Sequence, residues 1–122
     1  MFERGGIAYV YLVYGMHHCF NVVTGDEGYP AAVLIRATEP PVEGLSSSGP
    51  GRLTRVFDID RSLDRATLVG PELWIEVGEP VPDDVVKRTP RIGVDYAGEW
   101  AQRSYRLLIA GNPAVSGPRR LR

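Results

Sequence analysis

The 122-residue sequence predicts a mixed α/β (α+β) fold, dominated by a curved antiparallel β-sheet or partly open barrel, with a protruding β-hairpin and short helices. Ten prolines and fourteen glycines predict short elements joined by many turns, and therefore a fold rich in strands. Two runs of β-branched and aromatic residues, Ala8–Val13 and His17–Val23, predict a pair of adjacent strands. Because a chain of this length forms one domain at most, residues 1–122 are assigned to a single domain.

The turn between these two strands decides which side chains share a face. In Tyr14-Gly15 the glycine accepts positive φ without steric cost, so the chain can reverse there. A two-residue loop would put Tyr11 and Asn21 on opposite faces, whereas a three-residue loop puts Val13 opposite His17. We predict the three-residue loop. Since side chains alternate with period two, one face that could line a pocket then carries Tyr9, Tyr11, His17, Cys19 and Asn21.

The tip of the hairpin has an uncommon composition. Hairpin tips usually carry Asn, Asp or Gly, whereas this one carries Tyr14 with Met16 beside it. Three interpretations of the tip aromatic stay open: burial by another part of the chain, a contact with another protein, or a wedge between nucleic-acid bases. Composition alone favours the wedge least.

Shorter elements follow the hairpin. The apolar run 31–38 predicts a central strand, in which Arg36 either snorkels at the strand end or has a functional partner. Residues 50–57 predict a short helix whose first turn, with Arg52 beside it, suits a phosphate group. The other predicted elements are strands over residues 73–77, 85–88 and 104–110, a helical turn over 96–101, and a frayed basic tail over 117–122.

The overall charge and the single cysteine narrow the class of protein. A net charge of −1 creates no field that would attract nucleic acid to the whole molecule. No apolar run approaches the roughly 18 residues that span a membrane. Cys19 is the only cysteine, which rules out an internal disulfide and favours a reducing, cytoplasmic compartment.

Metal and nucleophile chemistry is not favoured. Neighbouring residues on a strand point to opposite faces, so only His17 and Cys19 could share an ion, and two ligands are too few. Glycine-rich phosphate loops are absent, and Cys19 lacks an activating context. Glu39 and Glu99 are conceivable general bases, although a solvated loop carboxylate is the simpler interpretation of each. We therefore expect no metal and no cofactor.

A series of motifs runs through most of the chain. It consists of residues 8–16 with Cys19 and Asn21, residues 33–37 with Glu39-Pro40, residues 49–53, residues 91–94 followed by 97–100, and Arg106-Leu107 before residues 111–113. In content and order the series resembles the alkyladenine (3-methyladenine) DNA glycosylase family. The resemblance implies a DNA repair enzyme that flips alkylated or deaminated purines out of double-stranded DNA and hydrolyses the N-glycosidic bond.

The resemblance also implies roles for individual residues. Tyr14, with Met16 beside it, would intercalate in the minor groove where the flipped nucleotide has left a gap. Tyr11 would stack on the flipped base, and Asn21 at the floor of the base pocket would disfavour normal guanine. A cationic, electron-poor base stacks well on aromatic rings, which agrees with this arrangement.

The resemblance further implies that Arg36 and the main chain of Ile92 help to hold the attacking water, with Ile92 part of the base pocket. The family's general-base glutamate belongs to an N-terminal segment that we expect this chain to lack, and residues 41–48 replace the family's helical insertion. We therefore expect a C-terminal portion of a glycosylase domain, monomeric and weak or inactive alone. The alternative is a non-catalytic nucleic-acid-binding β module that recognises distorted DNA.

Overall fold

The computed structural model describes all residues from 1 to 122, and they form two compact units, residues 1–77 and residues 78–122. The first unit contains a three-stranded antiparallel sheet and the second a two-stranded one. The mixed α/β class is confirmed. No closed barrel is formed, and the partly open barrel and the single domain stay predictions. None of the helices has the length and apolar character that crossing a bilayer requires.

The sheet of the first unit has the strand order β1 (Ala8–Val13), β2 (His17–Val23) and β3 (Ala32–Leu34). The two hairpin strands have the predicted bounds. Their β-branched and aromatic side chains favour a half-buried pleated surface, which accounts for the agreement.

The strand predicted over residues 31–38 is wrong in length and position. It comprises only the three residues of β3 and lies at the edge of the sheet, because β2 occupies the centre. Beyond β3, the Ile35 N–H still donates to the Phe20 carbonyl at 3.0 Å. The carbonyl of the following residue, Arg36, accepts from the Gly49 N–H at 2.8 Å. The partner of the chain at this point is therefore a loop and not another strand of the sheet.

The predicted helix is confirmed as α1 (Pro50–Val56), with Pro50 in its first turn where a missing N–H costs nothing. Leu53, Val56 and Phe57 predict an apolar stripe along this helix, and the structure bears out only part of it. Phe57 is exposed, and Thr54 is buried because its Oγ1 donates to the His18 carbonyl at 2.9 Å. Leu53, 1% exposed, belongs to the core of this unit, which consists of Ala8, Val10, Phe20, Leu53, Ile59 and Leu68.

The strand predicted over residues 73–77 is wrong. Only an isolated bridge between Val69 and Trp74 forms, and Ile75 and Val77 are exposed. A strand needs a partner to satisfy its backbone groups, and no second strand runs alongside these residues.

The sheet of the second unit pairs β4 (Val86–Thr89) with β5 (Arg106–Ile109), which confirms two predicted strands within a few residues. The helical turn predicted over residues 96–101 is part of a 3₁₀ segment, Asp95–Gln102. Gly98 interrupts this segment with a φ of 62°, a left-handed conformation that a glycine adopts without strain.

The prediction of a frayed basic tail is wrong. Residues 119–121 form a 3₁₀ turn, and the buried Arg106, 5% exposed, holds the chain around it. Its guanidinium donates to the carbonyls of Ser116 and Leu121 and to the Thr89 Oγ1. A buried guanidinium needs acceptors on all sides, and the tail supplies two of them.

Candidate functional site

The hairpin tip holds a strained and exposed aromatic residue. Val13 pairs with His17, so the predicted three-residue loop is confirmed. The Met16 N–H donates to the Val13 carbonyl at 3.1 Å, and Tyr14 and Gly15 between them have φ values of 52° and 65°. The left-handed conformation costs a non-glycine residue about 1–2 kcal/mol.

No packing offsets this strain, because Tyr14 is 92% exposed and Met16 also projects into solvent. Burial by another part of the chain, one of the three interpretations of the tip, is therefore wrong. Backbone strain of this kind is concentrated at functional sites, where the surrounding structure imposes it. The contact interpretations, with a protein or with nucleic acid, remain.

The two faces of the hairpin differ in character. Ala8, Val10 and Phe20 lie on the face that packs into the core. The alternate positions project from the opposite face, and we call the surface that they form with Arg36 the polar face. The polar face consists of Tyr9, Tyr11, Cys19, Asn21 and Arg36. His17, which was also predicted on this face, instead lies beside Gly51 of α1.

Aromatic and amide contacts order one end of the polar face. The ring centroids of Tyr9 and Tyr11 are 5.2 Å apart with the ring planes tilted by 41°. The Asn21 Nδ2 donates to the Tyr9 carbonyl at 3.2 Å, and Asn21 is buried. Its side chain is thus held in one orientation beside the two rings.

Arg36, Cys19 and Tyr11 interact at the other end of the polar face. Tyr11 and Cys19 are cross-strand partners, and their side chains hydrogen-bond. Burial raises the pKa of the Cys19 thiol, while the Tyr11 hydrogen bond and the Arg36 charge partly oppose the rise. Burial also lowers the pKa of Arg36. The Arg36 Nε is buried and has no hydrogen-bond partner, which leaves a strong donor unused on this face.

The residues predicted as a site belong to several elements of the two units. Tyr11 and Asn21 share the polar face, as the register predicts, and the interaction of Arg36 with Cys19 adds Arg36 to it. Arg52 is exposed on α1. Ile92 belongs to the second unit, where its side chain lies close to Gly117. The functional roles of all these residues stay predictions.

A groove between the hairpin tip and α1 brings together residues that the sequence did not single out as a group. Met16 and His17 line it on one side, and Arg55 and Asp58 on the other. The helix approaches closely at Gly51, where a Cβ would lie 3.0 Å from the His17 Nδ1. The spacing i, i+4 from Gly51 to Arg55 was the available signal that both share this face of α1.

The fold and the site together define a class: an α+β protein whose aromatic-tipped hairpin stands beside a face of stacking and hydrogen-bonding groups. Residues 1–113 match the methylpurine-DNA glycosylase family. The chain belongs to this family, which confirms the resemblance found in the sequence.

Three relatives illustrate the match, and each bears the name "Putative 3-methyladenine DNA glycosylase". The protein of Myxococcus xanthus is 53% identical over 123 residues, covering 97% of this chain and 63% of its own length. That of Anaeromyxobacter dehalogenans strain 2CP-1 is 49% identical over 121 residues, covering 97% and 57%. That of Legionella pneumophila strain Corby is 43% identical over 118 residues, covering 95% and 64%. The chain therefore spans about 60% of the length of these relatives.

Proposed function

We propose that this protein acts in base excision repair, as a monomeric cytoplasmic DNA glycosylase that removes alkylated purines of the 3-methyladenine type from double-stranded DNA. The observation that carries the proposal is the hairpin, which presents a strained, exposed Tyr14 beside the polar face. Family membership supports DNA as the substrate class, and the relatives' names point to 3-methyladenine.

The tip of the hairpin would stabilise DNA from which a nucleotide has been flipped. An enzyme that acts on a base must extrude it, at a cost of a few kcal/mol that is smallest for damaged pairs. Stacking of a base on an aromatic ring contributes about 1–3 kcal/mol. Tyr14 inserted into the gap, with Met16 beside it, would offset most of that cost.

The polar face would receive the flipped base. Tyr11 offers a ring on which a cationic alkylated purine stacks, because the ring face is electron-rich. The Asn21 side chain, held by the Tyr9 carbonyl, would exclude a purine that carries an additional exocyclic amine. The Arg36 guanidinium, whose charge acts on the Cys19 thiol of this face, would help to hold the attacking water and to position the sugar-phosphate backbone.

We propose that this chain alone turns over slowly or not at all. None of the three strands β1, β2 and β3 carries an Asp or a Glu, so the polar face has no carboxylate of its own to activate water. A positioned general base contributes a factor of about 10² to 10⁴ in rate. The alternative function, a non-catalytic module that recognises distorted DNA, would apply if no residue outside these strands supplies that base.

A single-turnover assay on duplex DNA with one hypoxanthine or one 1,N6-ethenoadenine tests the proposal, with base release and binding measured in the same sample. Tyr14→Asn is the informative variant, because Asn tolerates positive φ. We expect it to abolish the preference for damaged duplex while stabilising the turn by up to about 1 kcal/mol. Tyr96→Asn, at another exposed tyrosine, is the matched control and should leave the preference unchanged.

The outcomes separate the two functions. Base release that disappears in Arg36→Met would show a catalytically competent site and contradict the slow-turnover proposal. Binding that depends on Tyr14 without base release would establish the non-catalytic module. Equal affinity for damaged and undamaged duplex, in the parent chain and in Tyr14→Asn, would exclude both.

A further inference from the structure

Positive charge is distributed unevenly along the chain. Residues 1–77 contain six Arg or Lys and ten Asp or Glu, whereas residues 78–122 contain eight and five. No acidic residue follows Glu99, and five arginines do. Residues 78–122 therefore carry a formal charge of +3 (eight minus five), so this unit attracts a polyanion more strongly than the net charge of −1 for the whole protein indicates.

The most basic segment, residues 116–122, is held in place by the rest of the second unit. The buried Arg106 donates to the carbonyls of Ser116 and Leu121. Lys87 donates to the Arg122 carbonyl, and the Arg122 Nε donates back to the Gly117 carbonyl at 2.8 Å. The segment is therefore ordered before any ligand binds, which reduces the entropic cost of binding.

Arg119 and Arg120 are the two arginines of this segment whose side chains form none of the hydrogen bonds that hold it in place. Both side chains are exposed, and neither has an acidic partner. They also lie beyond residue 113, where the match to the family ends. Two adjacent free guanidinium groups on an ordered turn suit phosphate oxygens, to which guanidinium forks bind through paired hydrogen bonds.

We propose that Arg119 and Arg120 form a second DNA contact, which binds phosphates of undamaged duplex regardless of sequence. This inference rests on the proposed function, since that function makes DNA the partner, and it adds a site distinct from the hairpin. Neutralising two phosphates releases counterions, so the contact has a measurable signature in the salt dependence of binding.

The test measures the affinity of the full chain for undamaged duplex between 50 and 200 mM salt. For Arg119→Ala/Arg120→Ala we expect the slope of log K against log salt to fall by about 1.8 in magnitude, since each phosphate contact contributes about 0.9. Over this range the parent chain should lose roughly tenfold more affinity than the variant. Thermal unfolding verifies that both proteins are folded.

Two further variants serve as controls. Arg119→Lys/Arg120→Lys keeps both charges and should retain most of the slope. Arg4→Ala/Arg61→Ala removes two exposed positive charges from the first unit and should leave the slope unchanged. An unchanged slope in Arg119→Ala/Arg120→Ala, or an equal loss in the Arg4/Arg61 control, overturns the inference.

The same measurements separate this inference from the proposed function. If the tail variants behave as expected but the parent chain shows no Tyr14-dependent preference for damaged duplex, only the proposed function fails. If that preference holds and the slope is insensitive to the tail, only this inference fails. Tighter binding to vesicles rich in phosphatidylserine than to duplex, through the same two arginines, assigns the tail to membranes and also overturns it.

Discussion

The two units of this protein are stabilised by different interactions. Every buried apolar side chain of the molecule belongs to residues 1–77, where strands β1 and β2 and helix α1 share one core. In residues 78–122 the buried residues are Thr89, Arg106 and Ser116, and none of them is apolar. The first unit therefore depends mainly on the hydrophobic effect, whereas the second depends on the backbone pairing of β4 with β5 and on the hydrogen bonds of one buried guanidinium.

The difference matters because the two kinds of interaction respond differently to substitution. Hydrophobic burial is non-directional, so a core tolerates replacements that keep its volume. The hydrogen bonds of Arg106 depend on the fixed geometry of the guanidinium fork, and removing it leaves buried carbonyls without donors. The first unit presents the hairpin, and the second orders the basic tail.

The largest expected effect is that of Leu53→Ala. Deleting a fully buried leucine side chain costs about 2–5 kcal/mol, and we expect hydrogen exchange to show that loss in β1, β2 and α1. Leu53→Met, which keeps the volume, should cost less than about 1.5 kcal/mol. An equal loss of protection in β4 and β5 would mean that the two units do not unfold separately, and would break the comparison.

Arg106→Met has the next largest expected effect. Leaving the Ser116 and Leu121 carbonyls unsatisfied costs about 1–3 kcal/mol. The amide protons of Leu121 and Arg122 should lose their protection from exchange, since their own acceptors lie in the same turn. Arg88→Met, at an exposed arginine of β4, is the control. Retained protection of the tail in Arg106→Met would show that other contacts order it.

The smallest expected effect is a shift in the pKa of Cys19 on the polar face, measured by the pH dependence of thiol alkylation. Tyr11→Phe removes the hydrogen bond that opposes the rise in the pKa of Cys19, so the alkylation rate of this thiol should reach its plateau at higher pH. Tyr9→Phe is the control. The pKa of Cys19 is higher in the folded protein than in the unfolded protein. The contribution of the protonated thiol to stability is therefore fully present below the unfolded-state pKa, and it is lost as the pH rises through the folded-state pKa. An unshifted profile in Tyr11→Phe would mean that the two side chains do not interact.

The best sequence predictions concern local structure. The bounds of the hairpin strands, the three-residue loop and helix α1 all follow from turn chemistry, side-chain alternation and helix-start signals, which act over a few residues. The resemblance to the glycosylase family also depends on short motifs, and the family match over residues 1–113 confirmed it. Tyr11 and Asn21 could be placed on one face because only the register was needed.

Contacts between distant parts of the sequence decided the rest. The apolar runs 31–38 and 73–77 have the composition of strands, yet a strand forms only where a partner lies alongside. Likewise, the sequence predicted a frayed tail because the hydrogen bonds from Arg106 to the Ser116 and Leu121 carbonyls form only in the folded chain.

The sequence by itself thus determined the hairpin, its register and the family. Only the tertiary structure decided that Tyr14 is left exposed, that the Arg36 Nε is left without a partner on the polar face, and that Arg119 and Arg120 project from an ordered turn. The physical reason is the distance along the chain over which each interaction acts. Dihedral preferences and alternation are set by neighbouring residues, whereas burial and hydrogen-bond partners are set by residues far away in the chain.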